Sequence, residues 1–459
     1  MKSKVGLMGA VLILTGGAFF CGPAGAIEVL DPAYVVETYV VFDCANALSP
    51  TGMAFEPGGN LYLTHSKSEA SGEGSVYRVD TDRNVSRWIT GLSRPLDIVW
   101  GGGSDYGDYL YVIEGWGNTY WAHGGVRRIS LDGTANKFSD SGLYYPSAGG
   151  VDRTGNYGGL MYVGNSAQDD IDKVFLSGQV QRFSAFPYNV SGSPNSIAFD
   201  LNGSYGGLMY VGLLTTAQTS MRGIYTLDTN GDPTLFAPDL KSANVLKFDT
   251  TEGKNFGGYL YAVGKTEADT KWEIYRVYPN GQIEKFFADL DTSLKMTFGP
   301  DGFLYVSESS SSTTTVTISR IMPKLLWAQL NIEEAISQKE EALEMVEQAL
   351  VRERETFEIL EEILSGVDPS DVQFVDLVQA KVKVQLSMLQ ERSTKLHLNK
   401  SIDRLKEAWM ILTGQDEYQG PPEGVKQSEL RRADINGDGV INAKDFAILS
   451  RYWLKKYER

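Results

Sequence analysis

Residues Asp434 to Asp445 read D-I-N-G-D-G-V-I-N-A-K-D. Asp434, Asn436 and Asp438 alternate, so their side-chain oxygens can converge on one point in a curled loop. Gly439 stands at the sixth position, where the backbone must turn sharply. Val440 offers a carbonyl at the seventh, Asn442 sits at the ninth, and Asp445 closes the loop at the twelfth. Hard oxygens at these spacings suit a hard cation, and they are the ligand positions of a 12-residue calcium loop. The plainer alternative is an acidic, solvated turn. Asp445 stands where such loops usually end on the longer Glu, so bidentate closure needs a tighter loop.

A second group of candidates is placed by a repeat. The pair Leu61-Tyr62 recurs as Leu110-Tyr111, Met161-Tyr162, Met209-Tyr210, Leu260-Tyr261 and Leu304-Tyr305, with the tyrosines 44 to 51 residues apart. Each pair sits in an alternating apolar run behind a Gly-rich turn, with one short strand upstream and two downstream. Four short strands at a period near fifty are the pattern of propeller blades, and six copies predict six blades. The last copy lacks an outer strand. The strand-like run from Tyr34 to Phe42 has no other partner, so it is expected to close the ring and remove the exposed edges.

In such a blade the start of the first strand and the end of the second open on one face. The second-strand ends place His65, Glu114, Asn165 and Glu308 there. The first-strand starts place Asp97, Asn195, Asn244 and Lys295 nearby. These residues are expected to ring the mouth of the channel, either as a ligand site or simply as polar groups hydrating it. The loop from Glu114 to His123 adds Trp116, Tyr120 and Trp121, whose faces could stack on sugar rings, fill a protein interface, or pack on their own blade.

The repeats resemble the NHL and gluconolactonase-like six-bladed propellers over roughly residues 34–324. In the gluconolactonase-like family a Pro-Asn-Gly segment supplies one metal ligand, and Pro194-Asn195-Ser196 is similar. The chain departs from that family elsewhere: Thr51-Gly52 stand where its first blade has an acid, and Asn244-Val245 where an Asp is expected.

From Leu325 the period changes. Ile336, Leu343, Leu350, Phe357 and Leu364 fall seven apart, with Ile332, Val346 and Leu360 interleaved, which predicts a long amphipathic helix. Gly366-Val-Asp-Pro369 stops it, Ser370 and Gln373 make a capping-box start, and a second helix is expected to about Thr413. The two read as an antiparallel hairpin over 325–414, which could dock or self-associate. Past a linker at 415–426, Phe446, Leu449 and Trp453 mark a short helix leaving the calcium loop. A calcium loop with such an exit helix resembles a type I dockerin repeat over residues 427–459. That resemblance implies attachment to a cohesin-like or cell-surface partner, although dockerins normally carry two repeats and one is visible.

The ends and the charge bound the remaining possibilities. Lys2 and Lys4, an apolar run to Phe20 and Ala24-Gly25-Ala26 predict a secretory signal over residues 1–26. No later segment could span a membrane. With Cys21 removed, Cys44 is left alone and is expected to act as a small buried hydrophobe. A net charge of −16 with no basic cluster excludes nucleic acid as a partner. The expected architecture is multidomain: an all-β six-bladed propeller, an α-helical hairpin and a small α calcium-loop module. The expected function is a secreted, extracellular or cell-surface (or periplasmic) calcium-binding protein, whose propeller binds a glycan or protein. The alternative is a hydrolase of polysaccharide or lactone working at the channel face.

Overall fold

The computed structural model describes residues 28–413, apart from short stretches at 45–49, 67–71, 116–122, 187–191, 215–222, 252, 291–294, 310–313 and 370–371, together with Gln415 and Tyr418. The expected calcium loop and exit helix, Trp116, Tyr120, Trp121 and Ser370 lie outside the described residues. Residues 25–327 and the helical segment that follows form two separate compact units.

The first unit is a ring of six antiparallel sheets. The innermost strands are Pro50–Phe55, Pro95–Trp100, Pro146–Val151, Ser193–Phe199, Ser242–Phe248 and Lys295–Phe298, and each pairs with the strand that carries the repeat tyrosine. The N-terminal strand Tyr34–Asp43 pairs antiparallel with Thr315–Pro323 and supplies the outer strand of blade 6. A further short strand, Glu28–Val29, pairs with the outer strand of blade 5. One stretch of chain therefore grips two blades and closes the ring.

The repeat tyrosines explain why the motif recurs. All six are at most 1% exposed. In blades 3, 4 and 5 the rings of Tyr162, Tyr210 and Tyr261 meet an aromatic residue at the end of the next blade's first strand, namely Phe199, Phe248 and Phe298. The hydroxyl of Tyr210 donates to Tyr205 O (2.8 Å), and that of Tyr162 to Tyr157 O (2.8 Å). Tyr205 in turn donates to Val277 O (2.6 Å) and accepts from Leu260 N (3.1 Å), so it ties blade 4 to blade 5. The repeat tyrosines thus fill inter-blade seams with apolar area, and the tips of Tyr111, Tyr162, Tyr210, Tyr261 and Tyr305 are hydrogen-bonded.

The Gly-rich turns are held from inside by carboxylates. Asp200 Oδ2 accepts from Tyr205 N (2.6 Å) and Gly207 N (2.9 Å). Asp152 and Asp249 do the same in their blades. Gly207 has φ +66°, a conformation that a side chain resists.

The second unit contains α1 (Lys324–Ser365, of which the first residues belong to the ring unit) and α2 (Val372–Thr413). Ile332, Ile336, Ile402, Leu405 and Trp409 form its buried cluster. Trp409 Nε1 donates to Glu333 (2.7 Å) inside it. Farther along, the apolar stripe is only half-buried, since two helices shield each other on one side. Ion pairs cross the hairpin at Glu361–Lys381, Glu347–Lys395 and Glu340–Lys406, each 2.6 Å. No described helix is long and apolar enough to cross a membrane.

Candidate functional site

The channel through the ring is lined by the six first strands. In five of them the register shifts across one residue near the strand start, which marks a bulge at the equivalent place in each blade. A bulge adds one unpaired residue and re-aims its side chain. Here the extra residues are Thr51, Leu96, Ser147, Asn195 and Asn244. Thr51 Oγ1 donates to Pro95 O (2.7 Å), Ser147 Oγ to Pro194 O (2.6 Å), and Asn195 Nδ2 to Asn244 Oδ1 (3.0 Å). Polar groups at the strand starts therefore tie blade 1 to blade 2, blade 3 to blade 4 and blade 4 to blade 5.

One layer deeper sit Asp97 and, at the equivalent position of blade 6, Lys295. Lys247 of blade 5 lies two residues further along its strand, which puts it on the same side. Asp97 Oδ2 accepts from Gly149 N (3.0 Å) and Oδ1 from Ile98 N (2.9 Å). Gly52 must be glycine here, because a Cβ would lie 2.7 Å from Asp97 Oδ1 and Cα. Burial raises the Asp97 carboxyl above its ordinary value, while Lys247, Lys295 and the two amides pull it back. Burial likewise holds both lysine ammoniums below their usual range, with Asp97 opposing. Neither ammonium has an ion-pair or hydrogen-bond partner among the described residues.

The two sides of this layer differ in room. Around Asp97, Asn195, Asn244 and Lys295 the free space is about 10 Å³, enough for roughly one water. Beyond Lys247, toward the mouth where the first strands end, a cavity of about 550 Å³ opens. Its inner wall is small at the positions equivalent to Lys247: Ala54, Val99, Gly150 and Ala198. Arg153 stands at its rim, where Nε donates to Gly102 O (3.0 Å) and Nη2 to Trp100 O.

The second-strand residues take a different place from the one expected. Glu114 is 1% exposed; it accepts from Ser93 N (2.8 Å) and pairs with Arg127 (3.0 Å). Asn165 is fully buried, donating to Asp172 (2.8 Å) and accepting from Tyr144 N (3.0 Å). His65 is buried with its ring edge against Tyr77, and Glu308 is buried in its strand. These four brace blades from within, whereas Asp97, Asn195 and Asn244 face the channel. Lys247 is not among the candidates that the sequence singles out. The available signal was a single cation at a channel-facing position that is small and uncharged in the other blades.

Cys44 is buried, and burial pushes its thiol up to about 11, which suppresses the reactive thiolate.

The dockerin type I domain family matches residues 406–455, a stretch that begins within α2 and contains the whole of Asp434–Asp445. Domains of this type bind calcium and cohesins. The six oxygen-bearing positions of that loop fit the hard cation such a domain holds. No curated protein matches the chain. Among solved structures, the chain is similar to virginiamycin B lyase from Staphylococcus aureus (12% identity, 63% of this chain and 99% of that one, TM-score 0.40). It is similar also to a gluconolactonase from Xanthomonas campestris (14%, 65% and 99%, 0.44) and to an auxiliary nutrient binding protein from Bacteroides ovatus (11%, 63% and 76%, 0.44).

Proposed function

We propose that this chain is a secreted, modular calcium-binding protein, attached through its C-terminal dockerin repeat and holding an extracellular ligand in the channel of its propeller. The observation that carries the attachment half is the dockerin match over a stretch containing a complete set of loop oxygens. Asp434, Asn436, Asp438 and Asp445 would hold the ion through side chains, Val440 through its carbonyl, and Asn442 directly or through water. A bound calcium supplies a fixed point around which the exit helix with Phe446, Leu449 and Trp453 can order. The ligand half is supported by the open cavity at one end of the channel, whose wall carries charged groups as well as apolar surface.

The test has two arms on the full chain. Calorimetry with calcium should give one site, absent in Asp438→Ala, and cohesin capture should depend on calcium in the wild type alone. Equal heats for the two proteins would reject the loop as the site. A glycan array with the same protein should show retention that survives Asp438→Ala; binding to no glycan would remove glycans as the channel's ligand.

A further inference from the structure

We propose that the propeller channel is built for a small organic oxyanion, held by Lys247 and Lys295 and admitted through the mouth where the first strands end. This deepens the ligand half of the proposed function and rests on it.

The chain as a whole is strongly acidic, at −16, yet the axis of its propeller is not. Two lysines face Asp97 there, and Arg153 and Asp108 line the cavity beyond, which leaves a net excess of one cation. Asp97 does not form a closed pair with either lysine, since its two oxygens are taken by the amides of Gly149 and Ile98. Two half-buried ammoniums without an ion-pair partner, set in a channel with low-dielectric walls, produce a field that those walls focus. Such a field repels a metal ion and attracts an anion. Asn195 and Asn244 do not offset this, because one amide satisfies the other.

Geometry sets the direction of entry. Lys247 lines both the tight space at the strand starts and the large cavity beyond, so it is the first of the two lysines an incoming ligand meets. The small wall residues Ala54, Val99, Gly150 and Ala198 leave room beside it for a compact, partly apolar body. Thr297, at the equivalent position of blade 6, offers a hydroxyl to the same space. A carboxylate seated on the Lys247 ammonium, with Lys295 across the one-water space behind it, would restore both lysines toward their ordinary basicity. Binding should therefore take up protons, and it should weaken as pH rises through the depressed lysine range.

The experiment uses the full-length protein with calcium and three probes at matched ionic strength: glucuronate, inorganic phosphate and glucose. Glucuronate and phosphate should bind, and glucose should bind at least about tenfold more weakly. Lys247→Met and Lys295→Met should each weaken glucuronate about tenfold, and Lys247→Arg should retain it. Asp97→Asn removes the fixed anion and should tighten binding, an effect that misfolding cannot mimic. Glucose binding as well as glucuronate, unaffected by Lys247→Met, would overturn the anion site and leave a neutral-ligand channel standing. No binding of either anion would also overturn it, with the lysines then serving only to hydrate the channel, while the glycan array still decides the ligand reading independently.

Discussion

The two ends of the propeller channel are made by the same six strands and are finished in opposite ways. Where the strands begin, bulged residues reach sideways and bond the next blade, leaving space for about one water molecule. Where they end, aspartates buried in the turns take the backbone amides inward, and the side chains facing the axis are mostly small. The first end spends its hydrogen-bonding capacity on itself. The second holds charged groups beside an empty volume. Polar residues at a channel mouth are therefore a poor guide to a binding site unless their partners are known. The useful signal is a polar group that the fold has left unpaired.

The contrast exists only while the ring is closed, which gives the largest test. Deleting residues 1–43 removes the outer strand of blade 6 together with the short strand on blade 5. The truncated protein should lose its cooperative propeller transition and aggregate through the exposed edge. A melt indistinguishable from that of the intact chain would show that both ends survive without the closure.

A smaller change should loosen the open end alone. Asp200→Ala orphans the buried amide of Tyr205 and the half-buried amide of Gly207. Urea unfolding should report a loss of about 3 kcal/mol. A loss below about 1 kcal/mol would mean that water takes over the carboxylate's role, and the turn would not be what holds that mouth in shape.

The smallest effect tests the cost of polar packing near the closed end. Asp170, opposite Asn165 in blade 3, is completely buried, and burial together with neighbouring Asp172 pushes its carboxyl up to about 7. Arg182 Nε approaches to 2.9 Å, as an ion-pair contact rather than a directed hydrogen bond. The folded state thus holds a proton that the unfolded chain, titrating near 4, has already released. Stability from this group is full below about pH 4 and is lost as pH rises toward 7. Asp170→Asn should flatten that slope and be more stable than wild type above pH 7, by about 2 kcal/mol. Parallel pH profiles for the two proteins would show that Asp170 is not the group responsible.

Much of the architecture was open to reading because its signals are local or periodic. The tyrosine repeat announces six blades, since each blade must bury one aromatic ring in the same seam. The strand at Tyr34–Phe42 was readable as the closing strand because the last repeat lacked one. The candidate calcium loop at 434–445 is legible for a similar reason: every possible donor lies within twelve residues, so its spacing can be read directly. The half-buried stripe of the hairpin follows directly from its heptads.

Which residues face the channel was decided only by tertiary structure. A one-residue bulge reverses which side of a strand faces the axis, and no composition rule reveals it. Glu114 and Asn165 look like site residues in the sequence, yet neighbouring strands bury them and use up their hydrogen bonds. Asp97, Lys247 and Lys295 are far apart along the chain and meet only because the ring closes. Their significance lies in a shared field and in the absence of partners, and those properties belong to the folded ring rather than to any segment of it.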